Sequence, residues 1–149
     1  MKKLLLLLLT PLIMKAQPIV GEADRLNYEK DRIIYTGNVR LSRGNAILKA
    51  DKVVIYLDEN KKAKHAEAEG NVRYEEGNRR AFADRMHYDF VRDIITLTGK
   101  ARVEDGQNFV EAEEIVYYRK EDRAVAVSKK SRVRTFYVEE KNEKSPANK

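Results

Sequence analysis

Thr36-Gly37-Asn38-Val39-Arg40-Leu41-Ser42-Arg43-Gly44 is the stretch from which the rest of the chain can be read, because it recurs. Its second copy is Glu69-Gly70-Asn71-Val72-Arg73-Tyr74-Glu75-Glu76-Gly77, and its third is Thr98-Gly99-Lys100-Ala101-Arg102-Val103-Glu104-Asp105-Gly106. Six of the seven glycines in the 149 residues fall in these three pairs at one spacing. A fourth segment, Ser128 to Phe136, keeps Arg132 and Val133 but carries Lys129 and Phe136 where the glycines would stand.

Positions four and two before, and two and four after, each first glycine are Ile33, Tyr35, Val39, Leu41; Ala66, Ala68, Val72, Tyr74; and Ile95, Leu97, Ala101, Val103. All are apolar or aromatic, whereas Asn38, Arg40, Asn71, Arg73, Lys100 and Arg102 lie between them. A period of two marks strands with one buried face. The second glycine of each pair, before Asn45, Asn78 or Gln107, reads as a hairpin turn that needs a positive backbone angle.

A second element alternates with the first. It begins Ala-Asp or Ala-Glu at Ala23-Asp24, Ala50-Asp51, Ala83-Asp84 and Ala112-Glu113, with starts separated by 27, 33 and 29 residues. A period near 30 residues describes stacked supersecondary units that bury their apolar faces against one another. Leu48 and Ala50 share one parity and Val53 and Ile55 the other; the same switch separates Ala81 and Ala83 from Met86 and Tyr88. The pattern predicts a bulge or bend at Asp24, Asp51, Asp84 and Glu113, which keeps the apolar side inward as the sheet curls. Between Pro18 and Pro146 there is no proline to interrupt a ladder. The expectation is an all-β fold of eight to ten antiparallel strands: an open, twisted jellyroll or two-sheet sandwich, with a solenoid as the competing architecture.

Composition bounds the chemistry. With no Cys there is no disulfide framework, thiolate metal site, cysteine nucleophile or acylated lipoprotein cysteine. Lys2 and Lys3 precede an apolar run from Leu4 to Met14, then Lys15-Ala16. Eleven residues suit a secretory signal and are too few for a membrane span, which takes about 20. Residues 1–16 are therefore expected to be a signal peptide, 17–138 the β-domain, and 139–149 a polar tail. Without residues 1–16, 27 basic residues face 24 acidic ones. Acids and bases interleave throughout, so no concentrated basic face points to nucleic acid.

A leader followed by repeated AD-x-(L/V/M)-x-(Y/I) and (T/E)-G-N-V-R elements, from about Ala23 to Val133, resembles the periplasmic lipopolysaccharide-transport family, the LptA-like carriers of the organic solvent tolerance (OstA) type. The resemblance implies a periplasmic location and an open β-jellyroll that encloses lipid A acyl chains. It also implies end-to-end stacking into a bridge between the inner and outer membranes. The implied partners are lipopolysaccharide, further copies of the chain head to tail, and the inner- and outer-membrane transport proteins, met through terminal strand edges. No cofactor or metal is implied. The same pattern occurs in the inner-membrane-anchored, LptC-like partner, which stays an alternative, as does a scaffold whose edges polymerise without cargo.

On this reading Ile33, Tyr35, Val39, Leu41, Val53, Ile55, Tyr74, Met86, Leu97, Val103 and Ile115 line an apolar trough. The small residues Ala66, Ala68, Ala81, Ala83 and Ala101 either leave space for acyl chains or let two layers approach closely. Arg25, Lys49, Lys52 and Arg85, near the expected bends, are candidate phosphate ligands. Arg40, Arg73, Arg102 and Arg132 share one outward offset and either meet phosphates or, the favoured reading, pair across strands with Glu67, Glu69 or Asp. His65 and His87 fall on the outward parity as solvated residues, with no spacing that marks a nucleophile, base or metal site. Catalysis is not expected, since acids repeated once per unit are architecture.

Overall fold

The computed structural model describes residues 18–139; the expected signal peptide and residues 140–149 of the expected tail lie outside them. Among the described residues, one antiparallel sheet of ten strands makes up the fold. Its strands are β1 (Val20–Glu22), β2 (Arg25–Glu29), β3 (Arg32–Arg43), β4 (Ala46–Leu57), β5 (Ala63–Glu76), β6 (Arg79–Asp89), β7 (Ile94–Asp105), β8 (Asn108–Tyr118), β9 (Arg123–Val127) and β10 (Arg134–Phe136). Strands β3 to β8 follow one another as a meander; β1 and β2 both pair with β3, and β9 and β10 both pair with β8. The sheet is open, and its two layers share their strands, which corrects the expectation of two separate sheets.

A line of bulges creases the sheet. The register shifts between Thr36 and Val39 in β3, Lys49 and Lys52 in β4, Glu69 and Val72 in β5, Phe82 and Arg85 in β6, and Thr98 and Ala101 in β7. At each shift the Gly-bearing strand spends one residue more than its Asp-bearing neighbour. That is why inward positions lie four apart across the glycine (Tyr35 and Val39) but three apart across the acid (Ala50 and Val53). Asp51 and Asp84 sit at these shifts as expected, and Asp24 lies in the gap between β1 and β2. Glu113 lies where the partner of β8 changes from β10 to β9.

Left-handed backbone makes the crease. Gly37, Gly70 and Gly99 have φ of +88°, +86° and +86°, each followed by another positive φ at Asn38, Asn71 and Lys100. A β-carbon on Gly37 would lie 2.5 Å from Asp24 Oδ2, so the acid of one strand occupies the space that glycine leaves on the next. Asn38 and Asn71 donate through Nδ2 to Asp24 and Asp51 at 3.0 and 3.4 Å. The fourth copy lacks glycine and solves the problem differently: the Glu113 carboxylate accepts from the amides of Lys129, Lys130 and Ser131 and from the Ser131 hydroxyl at 2.7–3.0 Å. The outer glycines serve as expected. Gly44, Gly77 and Gly106 open two-residue hairpins with φ near +60° at the first central position only, the type II′ pattern.

The crease divides the sheet into two facing walls. The first comprises β2, β9 and the segments 32–36, 52–57, 63–69, 85–89, 94–98 and 114–118; the second comprises β1, β10 and the segments 39–43, 46–50, 72–76, 79–83, 101–105 and 108–112. Val39, Ala50, Val72, Ala83, Ala101 and Ala112 are buried beside the crease, paired in register as Val39 with Ala50, Val72 with Ala83, and Ala101 with Ala112. Small side chains at the fold line let the walls converge there.

Candidate functional site

Away from the crease the walls diverge and leave an apolar groove. Toward the β1 end its cavity has a volume of about 350 Å³ and is lined by Leu41, Leu48, Ile55, Ala66, Ala68, Tyr74, Met86 and Tyr88, among others. Toward the β10 end a cavity of about 520 Å³ is lined by Ala81, Met86, Ile95, Leu97, Val103, Val110, Ile115, Ala124 and Ala126. The two share Tyr74, Glu76, Met86 and Arg119 and so form one furrow running across the strands. Ligand sites span about 300–1,000 Å³ and are mostly apolar with a few placed polar groups.

The sequence-derived trough residues all share the inward face, as the register shows: Ile33 opposite Ile55, Tyr35 opposite Val53, Met86 opposite Leu97, Leu97 opposite Ile115. Leu41, Ile55, Tyr74, Met86, Leu97, Val103 and Ile115 reach the cavity wall. Val39 and Val53, 2% and 0% exposed, are packed into the solid part of the core instead. Ile33 and Tyr35 pack against that core. Tyr35 lies under β1, where a β-carbon on Gly21 would come within 2.8 Å of its ring; burial raises its phenol pKa. The alanines divide by place. Ala83 and Ala101 are buried at the crease, whereas Ala66, Ala68 and Ala81 line the void.

At the open side, opposite the crease, polar groups from both walls meet. Tyr88 donates to Asp93 Oδ1 at 2.6 Å, and Arg119 Nη1 donates to the Tyr88 oxygen at 3.2 Å. Tyr74 of the second wall donates to Glu76 at 2.7 Å. Burial, then the bond to Asp93, pushes the Tyr88 phenol up to about 12. Burial, then the bond to Glu76, drives Tyr74 up as well. Both stay protonated donors at physiological pH. Arg43, Arg79 and Arg80 border the same opening. Sequence reading missed this polar margin, because Asp93 and Arg119 sit in turns between first-wall strands where no periodicity marks them.

The four candidate phosphate ligands stand elsewhere. Arg25, Lys49, Lys52 and Arg85 are exposed on the outer face beside the crease: Arg25 opposite Thr36, Lys49 between Arg40 and Arg73, and Lys52 and Arg85 on either side of Glu69. Of the expected arginine ladder, Arg102 alone pairs across strands with an acid, Glu111, among the described residues. Arg40 and Arg73 flank Lys49, Arg73 stacks over Phe82 at 5.4 Å, and Arg102 joins Glu104 and Glu111 under Phe109. Glu67 and Glu69 are out of their reach because the crease puts them on the other wall. Arg132 lies exposed between β9 and β10.

The fold is also known from a solved structure. The crystal structure of LptH, described as the LptA-homologous periplasmic component of the lipopolysaccharide transport device of Pseudomonas aeruginosa, superposes with a TM-score of 0.74, covering 83% of this chain and 96% of that one at 21% identity. No curated protein sequence matches the chain. Residues 15–123, well over half the chain, match the family described as "LptA/(LptD N-terminal domain) LPS transport protein". The chain thus belongs to the LptA/LptD N-terminal domain family of lipopolysaccharide transport proteins.

Proposed function

We propose that the chain is a periplasmic carrier whose furrow shelters the acyl chains of lipopolysaccharide while the glycan stays in water. The observation that carries this reading is a furrow lined from both walls by aliphatic and aromatic side chains and left unfilled by them. Each buried methylene of an acyl chain contributes about 0.8 kcal/mol there. Leu41, Ile55, Tyr74, Met86, Leu97, Val103 and Ile115 make the contacts, with Ile33, Tyr35, Val39 and Val53 supporting them. Arg43, Arg79 and Arg119 meet the headgroup phosphates at the opening, a better placed set than Arg25, Lys49, Lys52 and Arg85.

Both edges of the sheet support head-to-tail assembly. Among the described residues, the exposed large apolar side chains are Ile19, Val20, Leu26 and Tyr28 at one edge and Val125, Val127, Val133, Phe136, Tyr137 and Val138 at the other, with Val91 alone elsewhere. Unpaired strand edges bearing apolar side chains are templates for another strand. Stacked copies would join the furrows and link transport proteins of the two membranes.

A photo-crosslinking residue at Leu97 or Met86, in protein expressed in its own periplasm, should form adducts with lipopolysaccharide, and probes at exposed outer-face Lys49 should not. Equal labelling at both positions, or none at either together with no lipid extracted from purified protein, would refute the carrier reading.

A further inference from the structure

The outer face of the first wall carries a cluster that lipid transport does not use. His65 and Glu67 lie two apart on β5, so both project from the same face, and His87 on β6 stands directly opposite Glu67 in register. One nitrogen of each histidine and a carboxylate oxygen of Glu67 all lie within 4.8 Å of one another. His65 Nδ1 and His87 Nε2 are 3.3 Å apart.

One ring N–H can donate to the nitrogen of the other ring at this distance. That separation also suits a metal ion held by both rings. Two nitrogens bound to one tetrahedral Zn²⁺ at about 2.0–2.1 Å stand about 3.3–3.4 Å apart, the edge of the tetrahedron. Backbone pairing places both rings, and the His65 ring is further fixed by stacking on Tyr56, with centroids 4.4 Å apart and planes 14° from parallel. Glu67, exposed and on a flexible stem, can swing its oxygen into the third position.

The charged neighbours leave the site free for a cation. Lys52 and Arg85, one row closer to the crease, face Glu69. Asp89, opposite His65, is engaged by the amides of Val91 and Arg92 at 2.9 and 3.0 Å, and Arg32 lies over the far side of Tyr56 next to Asp31. The two imidazoles favour Zn²⁺ and its neighbours over Mg²⁺ or Ca²⁺, and Zn²⁺ accepts a carboxylate oxygen beside them.

We propose that His65, Glu67 and His87 bind a divalent transition-metal ion of the zinc class on the outer face of the sheet, with three protein ligands and a fourth position open to water or to a donor from another molecule. The site lies on the opposite face from the furrow, so it stands whether or not the furrow carries lipid.

Titration of the untagged chain with Co²⁺, followed by visible absorption and then displacement with Zn²⁺, tests it. The expected result is one saturable site whose visible bands are those of a four-coordinate nitrogen and oxygen set and vanish on adding one equivalent of Zn²⁺. His87→Asn and His65→Gln should each weaken Zn²⁺ binding more than about 100-fold, beyond what losing a residue behind a ligand costs, and Glu67→Gln more than about tenfold. Thermal melts without metal should match the parent chain, and Zn²⁺ should raise the melting temperature of the parent alone. Absence of saturable binding below millimolar metal, or binding unaltered in all three variants, overturns the proposal. Should one histidine variant fail to fold, the near-isosteric Glu67→Gln and the other histidine variant decide the matter.

Discussion

Asp24 and Gly37 interlock: the Asp24 amide donates to the Gly37 carbonyl at 2.8 Å, while its carboxylate fills the space that a β-carbon on Gly37 would need. The same fit joins Asp51 to Gly70 and Asp84 to Gly99, so one contact, repeated along the crease, turns a flat ribbon into a grooved one. The furrow's existence therefore depends on backbone geometry at a few positions outside it.

Gly37→Ala forces an L-residue into φ +88° and drives its β-carbon into Asp24. The expected loss is about 2–3 kcal/mol in guanidinium unfolding. Gly106→Ala, at φ +64° with open space around it, should lose only about 1–2 kcal/mol. Combining Gly37→Ala with Asp24→Ala should recover part of the first loss, a non-additivity that shared contact demands.

Lys100 is the one crease residue after a glycine that is not asparagine, although its φ is +49°. Lys100→Asn supplies a residue that tolerates this conformation and an amide that can donate to Asp84, as Asn38 does to Asp24. The midpoint of denaturation should rise by an amount worth about 0.5–1 kcal/mol, at unchanged slope.

The amides of Lys129 and Ser131, with further donors from the Ser131 hydroxyl and Lys130, hold the Glu113 carboxyl down to about 2 from 4.5. A depressed carboxylate contributes stability that is complete above its unfolded value and fades as pH falls through the folded one. The β9–β10 junction should therefore loosen between about pH 4.5 and 2, seen as loss of native amide signals at residues 129–131. Glu113→Gln should show the loosened junction already at pH 7 and little further change in that window.

Alanines of the wall and of the crease should answer differently to enlargement. Ala66→Phe and Ala81→Phe place their rings in the void, so bound lipid should fall severalfold while the melting temperature holds. Ala101→Phe, at a site 1% exposed, should lose at least about 1–3 kcal/mol through overpacking. Quantified lipid extraction beside thermal melts separates the two.

The strands, the hairpin glycines and the inward face were legible in the sequence because each is a local property: period two, a Gly before Asn or Gln, and a parity that switches at the acid. So was the crease at Asp51 and Asp84, since a ribbon that keeps one side apolar through a parity switch must bulge there. Parity alone does not tell a wall from a packed core: it groups Val53 with Leu97 although one is enclosed and the other borders a void. That distinction depends on how far the walls stand apart, a distance set by the crease as a whole. The same holds for what meets across strands. Arg73 and Glu69 are close in sequence but fall on different walls, whereas His65 and His87, 22 positions apart, are brought to 3.3 Å by register. Sequence determined which side each residue faces; tertiary structure alone decided which of them touch, because strand pairing and wall separation are long-range consequences of the crease.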